Sequence, residues 1–79
     1  MDNQQKLRDA FSAALNIPSA EIFDDLSYES IPQWDSVAHM ALVVGLEDAF
    51  GVMLDTDEIL AMNSVAKARE IIAKHEVGF

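Results

Sequence analysis

Residues 35–51 read DSVAHMALVVGLEDAFG, and this segment predicts a helix together with both of its ends. Asp35 is a favourable N-cap residue, because its carboxylate can accept a hydrogen bond from a free N–H group of the first turn. Gly51 fits the left-handed position that commonly follows the last helical residue. We therefore predict a helix over Ser36–Phe50.

The predicted helix carries two apolar stripes at helical spacing. The first comprises His39, Leu42, Val43, Leu46 and Phe50, and the second comprises Val37, Met40, Ala41 and Val44. A small bundle needs one stripe for its core, so we expect the first to face inward. The second stripe, here called the interaction face, is rimmed by Glu47 and Asp48 and is predicted to bind partner proteins. The alternative is a central helix that is buried on both sides.

The N-terminal segment predicts a helix over Asn3–Leu15. Its apolar positions are Leu7, Phe11, Ala14 and Leu15, at helical i, i+4, i+7 and i+8 spacing. Asp2 or Asn3 can cap its start. Pro18 is expected to end it, because proline has no backbone N–H to continue a helix.

Two shorter helices are predicted after Gly51. One spans about 57–62 with Thr56 or Asp55 as its cap, and the other spans about 65–75 with Ser64 as its cap. No segment alternates as a strand would, so we predict an all-α four-helix bundle with a long loop after the first helix and a short third helix. The length of 79 residues predicts a single domain, 1–79.

The loop between the first two helices, residues 16–35, has no clear periodicity. So long an irregular segment is unusual in a compact domain and indicates packing over the core or a function. We expect five apolar residues to anchor it, namely Ile17, Ile22, Phe23, Leu26 and Ile31. Trp34 is expected to be a further anchor that stays partly exposed beside Ser36.

The charges of the chain are segregated along its length. The net charge is −9, and the basic residues all lie near the ends, as Lys6, Arg8, Lys67, Arg69 and Lys74. Residues 9–66 hold eleven acids and no Lys or Arg. Such a field repels nucleic acid and anionic membranes and attracts basic protein surfaces. Acids of this kind can also serve solubility alone.

Cysteine, metal-site and membrane signals are absent from the sequence. Without cysteine there can be no disulfide and no cysteine-based metal site. The acidic segment 55–58 lacks the glycine and glutamate that an EF-hand loop would need further on, so no metal site is predicted. No apolar run approaches the length of a membrane span, and residues 1–6 lack an apolar signal region. We expect a cytoplasmic monomer.

Ser36 is the candidate functional residue. On the first turn of a helix its hydroxyl would be exposed beside backbone N–H groups that have no intrahelical partner, a setting that favours a covalently attached phosphate. His39 is expected to pack on the inward stripe rather than to act as a base, so a small hydrolase is the weakest hypothesis. We interpret Ser36 as the anchor of a carried group, and the alternative is a plain helix cap.

Three short motifs occur in a characteristic order: Asp-Ser-Val at 35–37, LEDAFG at 46–51 and Ser-Val at 64–65. In this order and spacing the chain resembles the acyl carrier protein family. That family has Asp-Ser-Leu or a close variant at the start of its second helix, a Leu-Glu…Phe-Gly pattern at the end of it, and a Thr/Ser-Val pair at the start of the fourth. The match runs from Trp34 to Ile72, and the preceding helix and loop fit in length.

The resemblance implies that Ser36 receives 4′-phosphopantetheine from coenzyme A through a separate Mg²⁺-dependent phosphopantetheinyl transferase. The arm would carry acyl or aminoacyl groups as thioesters, and the chain itself would not be an enzyme. Asp35 would cap the helix and help to bind the transferase. The interaction face, with Glu47 and Asp48, would contact three kinds of partner: the transferase, a loading ligase or transferase, and downstream synthases or transferases with basic patches.

The resemblance also implies shelter for the carried chain between the second and third helices. Candidate lining residues are Leu46, Ile59, Leu60, Met62 and Ala68. Each of them also fits an ordinary core position. Ala38 and Ala41 stand where fatty-acid-type carriers usually have acids, so we favour a specialised stand-alone acyl or aminoacyl carrier. The competing hypothesis is an unmodified acidic helical module that binds a partner through the interaction face.

Overall fold

The chain folds as the predicted all-α bundle. The computed structural model describes residues 2–79. Its helices are α1 (Asn3–Leu15), α2 (Ser36–Phe50), α3 (Thr56–Ala61) and α4 (Val65–Ala73), with a 3₁₀ turn at Ser19–Glu21 inside the long loop. Within these residues no helix combines the length and the apolar character that crossing a membrane requires.

The bounds of α1 agree with the prediction, but its end has a different cause. Asp2 caps the start, where its side chain accepts a hydrogen bond from the N–H of Gln4. At the other end Asn16 adopts the left-handed conformation, with a φ of 58°, and donates its N–H to the carbonyl of Ser12. The prediction that Pro18 ends α1 is therefore wrong, because the left-handed Asn16 has already turned the chain.

Both predicted ends of α2 are confirmed. The side chain of Asp35 accepts a hydrogen bond of 2.8 Å from the N–H of Ala38. Gly51 has a φ of 64° and donates its N–H to the carbonyl of Glu47. This left-handed conformation strains any residue that has a Cβ, which is why a glycine follows the last turn.

The third helix starts one residue earlier than predicted and ends one residue earlier. Asp55 caps it, accepting from the N–H of Glu58, while the carboxylate of Glu58 accepts from the N–H of Asp55. This reciprocal capping box satisfies two otherwise free donors and sets the first turn at Thr56. Met62 leaves the helical conformation, with a ψ of 75°.

The fourth helix has the predicted cap and a shorter C-terminal end. The hydroxyl of Ser64 accepts a hydrogen bond of 3.0 Å from the N–H of Lys67. The helix ends at Ala73 instead of His75, because the N–H of His75 bonds to the carbonyl of Ile72, three residues back. Such i→i+3 bonds tighten the last turn of many helices.

Trp34 lies at the centre of the core. Its side chain is fully buried, so the prediction that it stays partly exposed is wrong. The indole meets the rings of Phe11 and Tyr28 edge to face, with centroids 5.3 Å and 6.2 Å apart. The other core residues are Leu7, Phe11, Leu15, Ile22, Leu42, Val43, Leu46, Leu54, Met62, Val65, Ala68, Ile71 and Ile72.

The long loop is anchored mainly as predicted. Ile22 is buried, and Ile17, Leu26 and Ile31 pack partly against the core. The prediction fails at Phe23, which is 60% exposed. The 3₁₀ turn sends Ile22 inward, and an extended residue that follows a buried one points the opposite way.

The loop is also tied by backbone hydrogen bonds to the start of α4. The N–H of Val65 donates to Leu26 at 3.0 Å, and the N–H of Tyr28 donates to Asn63 at 2.9 Å. These bonds satisfy backbone groups that would otherwise need water. The segment that leads to Ser36 is therefore held against the bundle along much of its length.

Candidate functional site

Ser36 is exposed at the first helical position of α2. Asp35, also exposed, places one carboxylate oxygen on the N–H of Ala38 at 2.8 Å. The first intrahelical bond of α2 is donated by His39 to the carbonyl of Asp35, at 2.9 Å. The N–H groups of Ser36 and Val37 come before it and have no intrahelical acceptor. The hydroxyl therefore lies in solvent at a helix end that attracts a negatively charged group.

His39 is fully engaged by other groups and is no base for Ser36. Its Nδ1 lies 3.0 Å from the indole Nε1 of Trp34, and its Nε2 lies 2.9 Å from the carbonyl oxygen of Ile59. An indole nitrogen only donates, so Nδ1 must be the unprotonated acceptor. It follows that Nε2 carries the proton and donates it to Ile59. This arrangement gives the hydrolase hypothesis no catalytic partner.

The interaction face points to solvent. Val37, Met40 and Val44 are 78%, 54% and 62% exposed, and Ala41 is exposed beside them. The alternative of a helix buried on both sides is therefore wrong. A compact patch of exposed branched and thioether side chains is unusual for an isolated protein and typical of a contact surface. That partner proteins bind here stays a prediction.

The two acids at the rim of the interaction face differ in their surroundings. Glu47 is half-buried, and its Oε2 accepts a hydrogen bond of 2.9 Å from the N–H of Leu54. It thereby holds the turn between α2 and α3. Asp48 is exposed at the side of α2 that faces α1. Of the two, Asp48 is the more available for a basic partner.

The residues predicted to line a chain shelter do not form one group. Leu46, Met62 and Ala68 are no more than 1% exposed, and Ile59 packs partly against the same core. Leu60 is 76% exposed and lies outside this enclosed group. The four inward residues fill an ordinary close-packed core, so a chain could enter among them only if the helices moved.

The sequence did not predict the aromatic cluster of Tyr28, Trp34 and His39, which packs beneath the start of α2 on the core side. The rings of Trp34 and His39 stack, with centroids 6.1 Å apart and planes at 22°. The ring of Tyr28 lies 5.1 Å from that of His39. The spacing of Trp34 and His39, five residues apart across a helix N-terminus, was the available signal, but the loop has no periodicity from which to read an orientation.

Two carboxylates outside the Ser36 region have perturbed acidity. A hydrogen bond from Arg69 in α4 to Asp24 in the long loop connects these two elements, and it lowers the pKa of Asp24. The N–H of Asp55 and then the ring of His75 lower the pKa of Glu58. The second pair connects α3 to the residues after α4.

Comparison with known proteins identifies the family. No family model matches the chain. An acyl carrier protein of Lactobacillus johnsonii is 31% identical over 71 residues, which cover 90% of this chain and 89% of the relative. The chain belongs to the acyl carrier protein family. The alignment spans nearly the whole of both sequences, so it includes the helices that surround Ser36.

Membership of the acyl carrier protein family agrees with the fold. The four helices, the long loop after α1 and the short α3 are those that the resemblance implied. A carrier of this family is a protein that presents a group to other proteins, which suits an exposed site on a small bundle. Two features of the chain bear on its function. They are the exposed hydroxyl of Ser36 at the start of α2 and the exposed interaction face of the same helix.

Proposed function

We propose that this member of the acyl carrier protein family carries acyl or aminoacyl groups as thioesters on a 4′-phosphopantetheine arm attached to Ser36. The observation that supports this most is the position of Ser36, exposed on the first turn of α2 and next to the capping Asp35. The chain catalyses no step itself. Its residues hold the attachment point and present a docking surface.

The residues around Ser36 fit a phosphodiester at that hydroxyl. The free N–H groups of the first turn of α2 and its dipole favour a negative charge there. Asp35 uses Oδ1 to cap α2, so its carboxylate stays next to Ser36 without occupying the serine hydroxyl. Residues 9–66 contain no lysine or arginine that would compete for the phosphate.

Attachment is a phosphoryl transfer that a separate Mg²⁺-dependent transferase carries out. The oxygen of Ser36 forms a bond to the β-phosphorus of coenzyme A, the pyrophosphate P–O bond breaks, and adenosine 3′,5′-bisphosphate leaves. The serine proton passes to a base of the transferase. The part of this chain is to position the hydroxyl rigidly, which α2 and its cap achieve.

The interaction face would dock the enzymes that act on the carried group. These are the phosphopantetheinyl transferase, a ligase or transferase that loads the acyl group, and downstream synthases or transferases. The exposed Met40 adapts to partners of different shape. Asp48 and the acids of the long loop would meet basic patches and raise the association rate.

The experiment that tests the carrier proposal is a mass measurement. The purified chain is incubated with coenzyme A, Mg²⁺ and a broad-specificity phosphopantetheinyl transferase. We expect the addition of one phosphopantetheine to the wild type and none to Ser36→Ala. Ser30→Ala, which removes an exposed serine of the loop before α2, should be modified as the wild type is. An unchanged mass of the wild type would favour the unmodified interaction module.

A further inference from the structure

His39 is the residue through which the start of α2 contacts α3. Its Nε2 donates a hydrogen bond of 2.9 Å to the carbonyl of Ile59, and its Nδ1 accepts one of 3.0 Å from the indole of Trp34. Both nitrogens of the ring are therefore in use, one toward α3 and one toward the long loop. Because an imidazole is rigid, a displacement of either partner changes the geometry of the other bond.

The first turn of α2 is wound between Trp34 and His39. The N–H of His39 donates to the carbonyl of Asp35, and the side chain of Asp35 accepts from the N–H of Ala38. A five-residue separation spans roughly 7.5 Å in a helix and roughly 17 Å in an extended chain. The bond between the two rings therefore requires a wound turn, and it stabilises that turn in return. Ser36 lies inside the turn.

Trp34 is the fixed end of this linkage. Its side chain is fully buried, where it meets the rings of Phe11 and Tyr28 edge to face. Its backbone N–H donates to the carbonyl of Ile31 at 3.1 Å. The core therefore holds the indole in place, and the indole in turn holds the ring of His39.

Helix α3 is the less firmly held end. None of its six residues is fully buried. Ile59 and Ala61 pack partly against the core, and Glu58 bonds to the ring of His75 at 2.8 Å. Within residues 2–79, the bond from His39 to Ile59 is the one hydrogen bond that joins α2 to α3. A segment with so few buried contacts opens at a low free energy.

Packing alone does not require a polar pair at this place. The indole N–H of Trp34 is the one hydrogen-bond donor among the buried side chains of residues 2–79. Apolar groups of the same shape in place of both bonded partners can leave stability nearly unchanged. A buried network of directional bonds adds a fixed arrangement, which apolar contacts specify less sharply. The linkage through His39 is therefore suited to transmit a displacement.

We propose that the imidazole of His39 makes the first turn of α2 and helix α3 a single cooperative unit, so that loosening of either one loosens the other. A coupling free energy of this kind is reciprocal. The inference goes beyond the carrier proposal, because it concerns the chain without any attached group. Its consequence for function is that a protein that holds α3 also holds the segment that presents Ser36.

Amide hydrogen exchange of the unmodified chain tests the coupling. Asp55→Ala removes the side chain that caps α3. We expect the N–H groups of Ala38 and His39, in the first turn of α2, to exchange about twofold to tenfold faster, as the loss of one cap predicts for a shared opening. Thr56→Ala, an exposed neighbour whose side chain does not cap α3, is the matched control and should leave both rates unchanged.

The reverse experiment perturbs α2 and reads α3. Asp35→Ala removes the cap of α2 and should speed exchange of the N–H of Ile59, which donates to the carbonyl of Asp55 within α3. Reciprocity predicts a similar increase. Asp2→Ala removes the corresponding cap of α1 and should not affect this amide. Rates at Ala38 that do not respond to Asp55→Ala would refute the proposal, as would rates at Ile59 that do not respond to Asp35→Ala.

The role of the imidazole itself is tested by His39→Phe, which keeps an aromatic ring beside Trp34 and removes both hydrogen bonds. In this background Asp55→Ala should no longer change the exchange rate at Ala38. If His39→Phe does not fold, His39→Asn replaces it, because its shorter side chain cannot span Trp34 and Ile59. A coupling that persists would overturn the assignment to His39. An unmodified Ser36 in the mass experiment would refute the carrier proposal and leave the exchange result standing.

Discussion

The indole Nε1 of Trp34 donates a hydrogen bond of 3.0 Å to Nδ1 of His39, and the two rings stack at 22°. The other nitrogen of His39 donates to the carbonyl of Ile59 in α3. One imidazole thus connects three parts of the fold: the buried Trp34 near the end of the long loop, helix α2 and helix α3. Ser36 lies between Trp34 and His39 in sequence, so this connection holds the proposed attachment point in place.

Removal of the imidazole should destabilise the fold. In His39→Ala the indole N–H of Trp34 loses its acceptor while it stays buried, and the carbonyl of Ile59 loses its donor. We expect the free energy of unfolding to fall by about 1–3 kcal/mol. Urea unfolding followed by the fluorescence of Trp34, the single tryptophan, measures it. Met40→Ala, one residue further on and exposed, should change it by less than about 0.5 kcal/mol.

The two roles assigned to Asp35 can be separated by two substitutions. Asp35→Ala removes the acceptor of the Ala38 N–H and should lower the free energy of unfolding by about 1 kcal/mol. Asp35→Asn keeps a capping oxygen and should leave stability nearly unchanged, since Asn and Asp cap almost equally well. If the charge serves the transferase, Asp35→Asn should still be modified several-fold more slowly. Equal modification rates for Asp35→Asn and wild type would limit Asp35 to its capping role.

The two glycines of α2 and its end should respond to alanine in opposite directions. A Cβ built on Gly45 meets no atom within 4 Å, so Gly45→Ala should raise the free energy of unfolding by about 0.5–1 kcal/mol through helix propensity. Gly51 has a left-handed φ of 64°, so Gly51→Ala should lower it by roughly 1–2 kcal/mol. Urea unfolding measures both. The chemical change is the same, so each variant is the control for the other.

Acid should weaken the contact between α3 and the C-terminal segment. The N–H of Asp55 and the ring of His75 hold the pKa of Glu58 below its ordinary value of 4.5 in the folded state. Because this pKa is lower in the folded than in the unfolded state, the ionised Glu58 stabilises the fold. The contribution is complete above the ordinary pKa and is lost as the pH falls through the folded-state pKa. The difference in unfolding free energy between wild type and Glu58→Gln should therefore shrink below about pH 4.5.

The matched control for this pH dependence is Glu70→Gln, on the exposed side of α4. Its effect on the free energy of unfolding should vary less with pH than that of Glu58→Gln. Denaturant titrations at several pH values compare the two. An identical pH profile for both variants would show that the contacts of Glu58 with Asp55 and His75 contribute nothing to acid sensitivity.

The interaction face should matter for partners and not for folding. Val44 is exposed, so Val44→Asp should slow modification by the transferase while it changes the free energy of unfolding by less than about 0.5 kcal/mol. Met53→Asp places the same charge on an exposed apolar position after α2. We expect this control to be modified at the wild-type rate. Equal rates for both variants would place the docking surface elsewhere.

Salt should act on the same encounter through the acids. Raised ionic strength should slow association with the transferase more than it changes dissociation, because steering is long-range and screened. Asp48→Asn should reduce this salt dependence. Stopped-flow or surface-based kinetics give both rates, and an association rate that does not vary with salt would exclude a steering role for the acids.

The local features of the chain were predictable because their causes lie within a few residues. The cap at Asp35 and the left-handed Gly51 determine both ends of α2, and each acts through one hydrogen bond or one backbone conformation. The end of α4 was less predictable. In the last turn of that helix, hydrogen bonds that span three residues compete with the four-residue bonds of a regular α-helix. The two kinds of bond differ little in energy.

Burial in the long loop was not predictable from the sequence alone. Ile22 and Phe23 are adjacent and both apolar, yet the first is in the core and the second is exposed. The difference depends on the 3₁₀ turn that precedes them and on the surfaces of α1 that the loop meets. Neither has a periodic signature.

The sequence by itself determined both ends of α2, the starts of α1 and α4, that α2 carries two apolar stripes, and that Ser36 stands at a helix start. Hydrogen bonds and backbone preferences within about four residues are sufficient for this. Only the tertiary structure decided that Trp34 is buried against Phe11 and His39, and that Phe23 stays exposed in the long loop. Those outcomes depend on which distant surfaces pack together, and packing is a property of the whole assembled chain.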